Sequence, residues 1–308
     1  MSRIEQSSES LTLPPARDAG LLAIALAGVS ASGPIMAATA APALAIAFWR
    51  NALGAGSTGA YLAVAHRAEF AALGRRGWAE ASLAGVFLAL HFGAWVPSVK
   101  LTSVASATAL GATQAVFTGL IAAMAGRRLP RIAWLGMALA IAGTALIAGA
   151  DFGVSARALA GDGLALLGGV FAAAYVTTGA SARRQMSTVA YTTICYSVCA
   201  LVLLGVCLAA RQPLSGYSGE AWLLILAVTG CAQLLGHSLF NVVLRSVSAT
   251  FVSLSILIEV PGAALIAGLW LGQWPPLSAI PGLVLLLAGL VVVVRARDRL
   301  SEPVPDLD

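Results

Sequence analysis

Four ionisable side chains lie well inside long apolar stretches of this 308-residue chain: Arg50, His91, His237 and Glu259. An ionisable group in the middle of a membrane-spanning helix costs about 2.5–3.5 kcal/mol on insertion scales, so its presence points to a function by default. If these stretches cross a membrane, the chemistry of the chain is expected among these four residues.

The two charged candidates differ in the chemistry they offer. The Arg50 guanidinium could bind the carboxylate of an amino-acid-like molecule, because its planar fork matches two carboxylate oxygens. Its alternative is a structural role, in which it caps backbone carbonyls or extends towards the membrane surface. Glu259 lies two residues before Pro261 and could bind and release a proton during a transport cycle. Its alternative is a neutral or arginine-paired carboxyl that stabilises the backbone near the proline.

The two histidines have different surroundings. His91 and Trp95 are four residues apart, so they share a helix face, and an imidazole beside an indole could line a pocket for an aromatic molecule. The alternative is a hydrogen-bonded histidine between helices, next to a tryptophan at the membrane interface. His237 lies nearer the end of its stretch, and a structural role is favoured for it.

The remaining candidates are polar or helix-breaking residues in the apolar stretches. The sequence Ser30-Ala-Ser-Gly-Pro34 predicts a bend at the depth of a cavity. Ser32 in that bend and Tyr175 in the sixth stretch are predicted to contact a substrate. The predicted hinge residues are Gly33, Pro34, Pro261 and Gly262.

The elements that must position these residues are long apolar segments. The chain is 59% hydrophobic and 10% charged, whereas a soluble domain is about 25% charged, so most of its surface must face lipid. A membrane span needs about 20 residues. The sequence therefore predicts an all-α polytopic membrane protein with ten transmembrane helices, at about 19–39, 42–64, 77–98, 103–125, 131–149, 160–181, 188–209, 219–243, 248–271 and 277–295.

The distribution of basic residues predicts the orientation. With the N-terminus in the cytoplasm, fourteen of the 18 Lys and Arg residues fall on the inner side. Three fall on the outer side, namely Lys100, Arg157 and Arg211, and Arg50 lies within a span. Basic residues collect on the cytoplasmic side of membrane proteins. We therefore expect both termini in the cytoplasm and the protein in a bacterial-type cell inner membrane.

The two halves of the chain share a pattern of small residues. Gly126, Gly136, Ala142 and Gly143 are each repeated 146 residues later, as Gly272, Gly282, Ala288 and Gly289. Upstream, residues 101–104 resemble residues 244–247. This pattern predicts a duplicated five-helix unit. Because five is odd, the second copy is inserted upside down, which is the plan of many secondary transporters with a central cavity.

Several short motifs are similar to those of a known family: Phe48-Trp-Arg-Asn51, Leu101 to Thr108, Gln114-Ala-Val-Phe117, Gly126-Arg-Arg-Leu129, Ser246-Val-Ser-Ala-Thr250, Glu259-Val-Pro-Gly262 and Gly272-Gln273. With the ten spans, they resemble the drug/metabolite transporter superfamily, specifically its EamA-type exporters. The chain departs from that family at Gly126-Arg and Gly272-Gln, where Gly-Glu is usual, and at Ala115, where proline is frequent. The resemblance implies two five-helix repeats at 19–150 and 151–296, between cytoplasmic tails at 1–18 and 297–308.

The resemblance also implies a function. We expect an inner-membrane secondary transporter that exports small metabolites by alternating access, most similar in plan to the YddG-type exporters of aromatic amino acids. The expected cargo is therefore an amino acid, with other small metabolites or drugs as the alternative, and a channel or a membrane-embedded enzyme as less favoured ones. We expect no catalytic residue, cofactor or metal, and no nucleic acid as a partner. The expected partners are a small-molecule substrate and the lipid bilayer, with the chain a monomer or a weak homo-oligomer.

Overall fold

The computed structural model describes residues 15–65, 73–126, 129–152, 155–183, 185–236, 239–240, 243 and 255–298. Within these residues the regular structure is helical and no strand is found. His237, the sequence echo at 244–247 and the motif at 246–250 lie outside the described residues. Of the described helices, seven are long and apolar enough to cross a membrane, and shorter apolar helices accompany them. The predicted all-α membrane architecture is confirmed.

The described helices coincide with the ten predicted spans. Four of these spans are continuous helices in the first repeat or at its boundary, or continuous helices in the second repeat, and the others are interrupted. In chain order they are α1 (Ala16–Ser30 and Ser32–Ala38), α2 (Ala43–Ala65), α3 (Arg75–Leu101), α4 (Val104–Gly111 and Gln114–Met124), α5 (Arg131–Phe152), α6 (Ala156–Ala182), α7 (Thr188–Ala209), α8 (Gly219–Val228, continued by a π-helix at Thr229–Gly236), α9 (Glu259–Leu271) and α10 (Ile280–Asp298).

Helix packing follows the two repeats. Three contacts join a helix to its own counterpart five helices later: α2 with α7, α4 with α9, and α5 with α10. The other contacts come in matched pairs, since α3 packs on α6 as α8 packs on α1, and α6 packs on α4 as α1 packs on α9. This pattern is that of two similar units related by an approximate two-fold axis.

The glycines repeated at 146 residues form the seam between α5 and α10. A Cβ atom on Gly136 would lie 2.9 Å from the Gly289 carbonyl oxygen, and one on Gly143 would lie 2.7 Å from the Gly282 carbonyl oxygen. The early glycine of one helix therefore meets the late glycine of the other, so the two helices run antiparallel. Small residues allow such close backbone contact between helices in a membrane.

The first pair in the repeated pattern has a different role. Gly126 follows α4 with a φ of +84°, and Gly272 follows α9 with a φ of +67°. This left-handed conformation favours glycine, which commonly ends helices in this way. The equivalent helices of the two repeats therefore end in the same kind of turn.

Interruptions are confined to certain helices. α1 is broken at Ala31 and α4 at residues 112–113, while α8 widens into a π-helix at residue 229. α9 begins at Glu259, after a turn at residues 257–258. By contrast α3 and α6, the counterparts of α8 and α1, are each continuous over 27 residues. In transporters, interrupted helices near the membrane midplane typically form the substrate site.

Candidate functional site

Arg50 lies on α2 in the interior of the bundle, with only 2% of its surface exposed. Its Nε donates a hydrogen bond of 3.0 Å to Gln233 Oε1 on the π-helical part of α8. Its Nη1 lies 3.7 Å from Met36 Sδ, a weak acceptor, and its Cζ lies 4.4 Å from the centre of the Phe92 ring. The buried cation is thus held by one amide and one aromatic face.

The Gln233 side chain continues into a chain of hydrogen bonds. Its Nε2 donates to Asn51 Oδ1 at 3.4 Å, and Asn51 Nδ2 donates to the Ala47 carbonyl at 2.8 Å. Gln233 and Asn51 are both buried. The chain therefore begins and ends on α2, and it fixes α8 to α2 through a single side chain.

The far end of the Arg50 fork is unpaired within the protein. Among the described residues Nη2 has no hydrogen-bond partner, and no ion pair within 4 Å joins Arg50 to Glu259. Glu259 is nevertheless close enough to interact with the guanidinium electrostatically. A buried charge is normally paired. An open guanidinium fork near a carboxyl group is therefore an arrangement that can take up a ligand carrying both charges.

Aromatic and polar side chains of α6 and α7 surround this centre. Tyr196 and Cys199 on α7 lie within electrostatic range of Arg50. Tyr175, which was predicted to contact substrate, is partly buried, hydrogen-bonds to Tyr191 and lies near Tyr196. The structure thus places Tyr175 in a tyrosine cluster that borders the Arg50 site.

His91 and Trp95 lie together in the seam of α3 with α4 and α6. Their rings stack with centres 5.9 Å apart. His91 Nδ1 is 2.9 Å from the Gly168 carbonyl oxygen, and Trp95 Nε1 donates to the Ala107 carbonyl at 3.1 Å. The His91 ring centre is also 4.8 Å from that of Phe92, so a row of rings leads to Arg50. Contact of this pair with substrate stays a prediction.

The predicted hinge residues lie where α1 crosses α4 and α9. A Cβ atom on Gly33 would lie 3.0 Å from Val104 Cγ1 on α4. One on Gly262 would lie 2.9 Å from the Cβ of Ser30, at the end of the first part of α1. Both breaks therefore depend on the absence of a side chain. The other members of the set are Ser32 and Pro34, which are buried, and Pro261, which is exposed on the first turn of α9.

We expect the contact between α1 and α9 to be needed for transport. G262A should lower the rate about tenfold by pushing Ser30 away. The double variant S30G/G262A should restore the rate, because the atoms that clash are removed. The measurement is the initial rate of cargo efflux per amount of folded protein, with G20A, where nothing lies within 4 Å, as the control. A double variant no faster than G262A would contradict this expectation.

Three residues of the site were not predicted: Gln233, Asn51 and Phe92. Asn51 is part of a motif that indicated the family, without a role of its own. Gln233 is an uncharged residue, and a search for ionisable groups passes over it. The available signal is a side-chain amide deep inside an apolar stretch, where it needs a hydrogen-bond partner.

Comparisons with known proteins agree with this architecture. A family model described as the EamA-like transporter family matches the chain twice, at residues 18–149 and 159–295. A crystal structure of a protein matches with a TM-score of 0.63 and 16% sequence identity, covering 90% of this chain and 96% of the other. That likeness shows the fold alone. No curated protein matches the chain.

Proposed function

The chain belongs to the EamA-like transporter family, and on that premise we propose that it exports amino acids, including aromatic ones, by alternating access. The family match and the apolar helices make it a multi-pass membrane protein of the transporter type. The cargo, the inner membrane and the cytoplasmic position of both termini are parts of the proposal. The orientation is supported by the fourteen inner and three outer basic residues.

One observation carries the proposal of an amino-acid cargo. The buried Arg50 fork has open donor positions near the Glu259 carboxyl group. An amino acid has a carboxylate that suits a guanidinium and an ammonium that suits a carboxylate. A zwitterion can therefore neutralise both groups at once, whereas a simple anion or cation can neutralise only one. This complementarity favours an amino acid over an uncharged drug.

The aromatic surroundings support aromatic amino acids within that class. Phe92 stacks on one side of Arg50, and Tyr196 and the Tyr175 cluster lie on another. Aromatic side chains bind a ligand ring through apolar contact and ring–ring geometry. Leucine-sized cargo would gain the apolar contact but not the ring pairing, so we expect it to be transported less well.

Proteoliposomes loaded with amino acids test the proposal. We expect efflux of phenylalanine, tyrosine or tryptophan above that of empty-vector membranes, and weaker efflux of aliphatic amino acids. Phenylalanine amide, which lacks the carboxylate, and 3-phenylpropionate, which lacks the ammonium, should both be poor cargo. Efflux of no amino acid, or equal efflux of acid and amide, would overturn the amino-acid proposal.

Glu259 gives a separate prediction. E259Q should lower phenylalanine efflux by about 10- to 100-fold, since a hydrogen bond to a charged group contributes about 1.5–3 kcal/mol. The same variant should leave 3-phenylpropionate, which has no ammonium, almost unaffected. E220Q, at an exposed position on the first turn of α8, is the matched control. If E259Q reduces both cargoes equally, Glu259 does not bind the ammonium, and a role in proton coupling is the remaining interpretation.

A further inference from the structure

We propose that Gln233 is the positioning residue of the site: it occupies the Nε edge of Arg50, so that cargo carboxylate must bind end-on to Nη1 and Nη2. This inference rests on the proposed function, because it specifies how the same arginine receives its ligand. The experiment below separates a failure of one from a failure of the other.

The geometry of arginine explains why the Nε contact matters. A guanidinium can bind a carboxylate side-on through Nε and Nη2, or end-on through Nη1 and Nη2. The 3.0 Å bond from Nε to Gln233 blocks the side-on position. At the end-on position, Nη1 has only the Met36 sulfur at 3.7 Å, and Nη2 has no partner among the described residues. The end-on fork is therefore the open one.

The orientation of the Gln233 amide is fixed from both ends. Arg50 Nε can only donate, so Gln233 must present its oxygen to it. The Ala47 carbonyl can only accept, so Asn51 must present its amino group there and its oxygen to Gln233. Each donor in this chain meets an acceptor, and such chains strengthen their members cooperatively. A glutamate at position 233 could not donate to Asn51, whereas glutamine satisfies both neighbours.

The widened turn of α8 brings Gln233 to this place. The π-helix at Thr229–Gly236 packs closely on both neighbours. A Cβ atom on Gly28 of α1 would lie 2.6 Å from the Cys231 carbonyl oxygen, and one on Gly54 of α2 would lie 2.6 Å from Gln233 Nε2. π-Helical turns are frequent at functional sites. Here the wide turn and the two glycines make room for an amide in the middle of the bundle.

Three variants of Gln233 test the inference. Q233L keeps the volume and removes both hydrogen bonds, Q233E places a carboxylate against Arg50, and Q233N is too short to span from Arg50 to Asn51. We expect Q233L and Q233N to raise the KM for phenylalanine by about tenfold or more with a smaller change in kcat, because the fork is no longer held. Q233E should remove phenylalanine transport, since its carboxylate pairs with Arg50 in place of the cargo.

A second pair of variants covers the case in which changes at position 233 prevent folding. G54A adds a methyl group 2.6 Å from Gln233 Nε2, the movable end of a side chain, whereas G56A on the same helix meets nothing within 4 Å. G54A should displace the amide and raise the KM for phenylalanine several-fold. G56A should leave the KM unchanged.

The readout is the ratio of kcat/KM for phenylalanine to that for phenylalanine amide, together with the melting temperature of each purified variant. A large ratio in the wild type that falls about tenfold or more in Q233L and falls in G54A supports the inference. If the wild type shows no preference for the acid, the proposed function fails. If the wild type prefers the acid and both variants keep its ratio while only their stability falls, Gln233 is a structural residue and the inference is overturned.

Discussion

Replacing Arg50 with lysine should lower the efflux of phenylalanine by about 100-fold or more, although the positive charge is kept. Lysine presents a compact ammonium in place of a planar fork, so it cannot donate to Gln233 and bind a carboxylate with two parallel bonds at once. Arg50→Ala should have at least as large an effect, because it also leaves the buried Gln233 oxygen without a donor.

The measurement is efflux from proteoliposomes at equal amounts of folded transporter. R157K is a matched control, because Arg157 is exposed on α6 and contacts only the Lys100 carbonyl, at 3.3 Å. We expect it to transport at the wild-type rate. If R50K retains most of the efflux while remaining folded, Arg50 is a charge that stabilises the bundle, and the cargo carboxylate binds elsewhere.

The second large effect is expected at the seam of α5 and α10. Gly143→Ala should greatly reduce the amount of folded protein, since its Cβ would lie 2.7 Å from the Gly282 carbonyl oxygen and 2.8 Å from the Leu286 Cα. These are backbone atoms and cannot rotate away, so the two helices must separate along their length. Overpacking a buried contact costs about 1–3 kcal/mol even where side chains can rearrange.

The seam is self-complementary, and this gives the prediction an internal check. Gly136→Ala, which meets the Gly289 carbonyl oxygen at 2.9 Å, should be similarly damaging. The control is G205A on α7, where an added Cβ meets nothing within 4 Å. Fluorescence-detected gel filtration after heating gives the melting temperature of each variant. A melting temperature of G143A equal to that of G205A would show that the seam tolerates a wider spacing.

The fold could be predicted because its signals are local and repeated. Ten apolar segments follow from composition, and the glycines at 146 residues predicted the duplication. What those glycines do could not be predicted, because it depends on which helix lies opposite. Gly143 and Gly282 touch across the bundle, whereas Gly126 and Gly272 provide positive φ angles in turns.

The site was predicted in part. Arg50 and Glu259 stand out as ionisable groups in apolar surroundings, and the structure brings them within electrostatic range. Glu259 was expected near the middle of a continuous ninth helix, yet it is the first residue of α9. No local feature near residues 257–258 predicts that turn. Gln233 was missed because its partner Arg50 is 183 residues away, and sequence alone does not indicate which of many helix faces will meet.

The contrast between continuous and interrupted helices has a mechanical consequence. A bundle of two similar halves would be expected to bend equally easily on either side of its axis. In this bundle α3 and α6 form a pair of unbroken rods, while their counterparts α8 and α1 contain a π-helix and a break. Bending stiffness is therefore unequal on the two sides, and deformation concentrates at the few residues where the backbone ladder is already interrupted. A nearly symmetric architecture thus acquires a compliant side and a stiff side, and Arg50, held through Gln233, is attached to the compliant one.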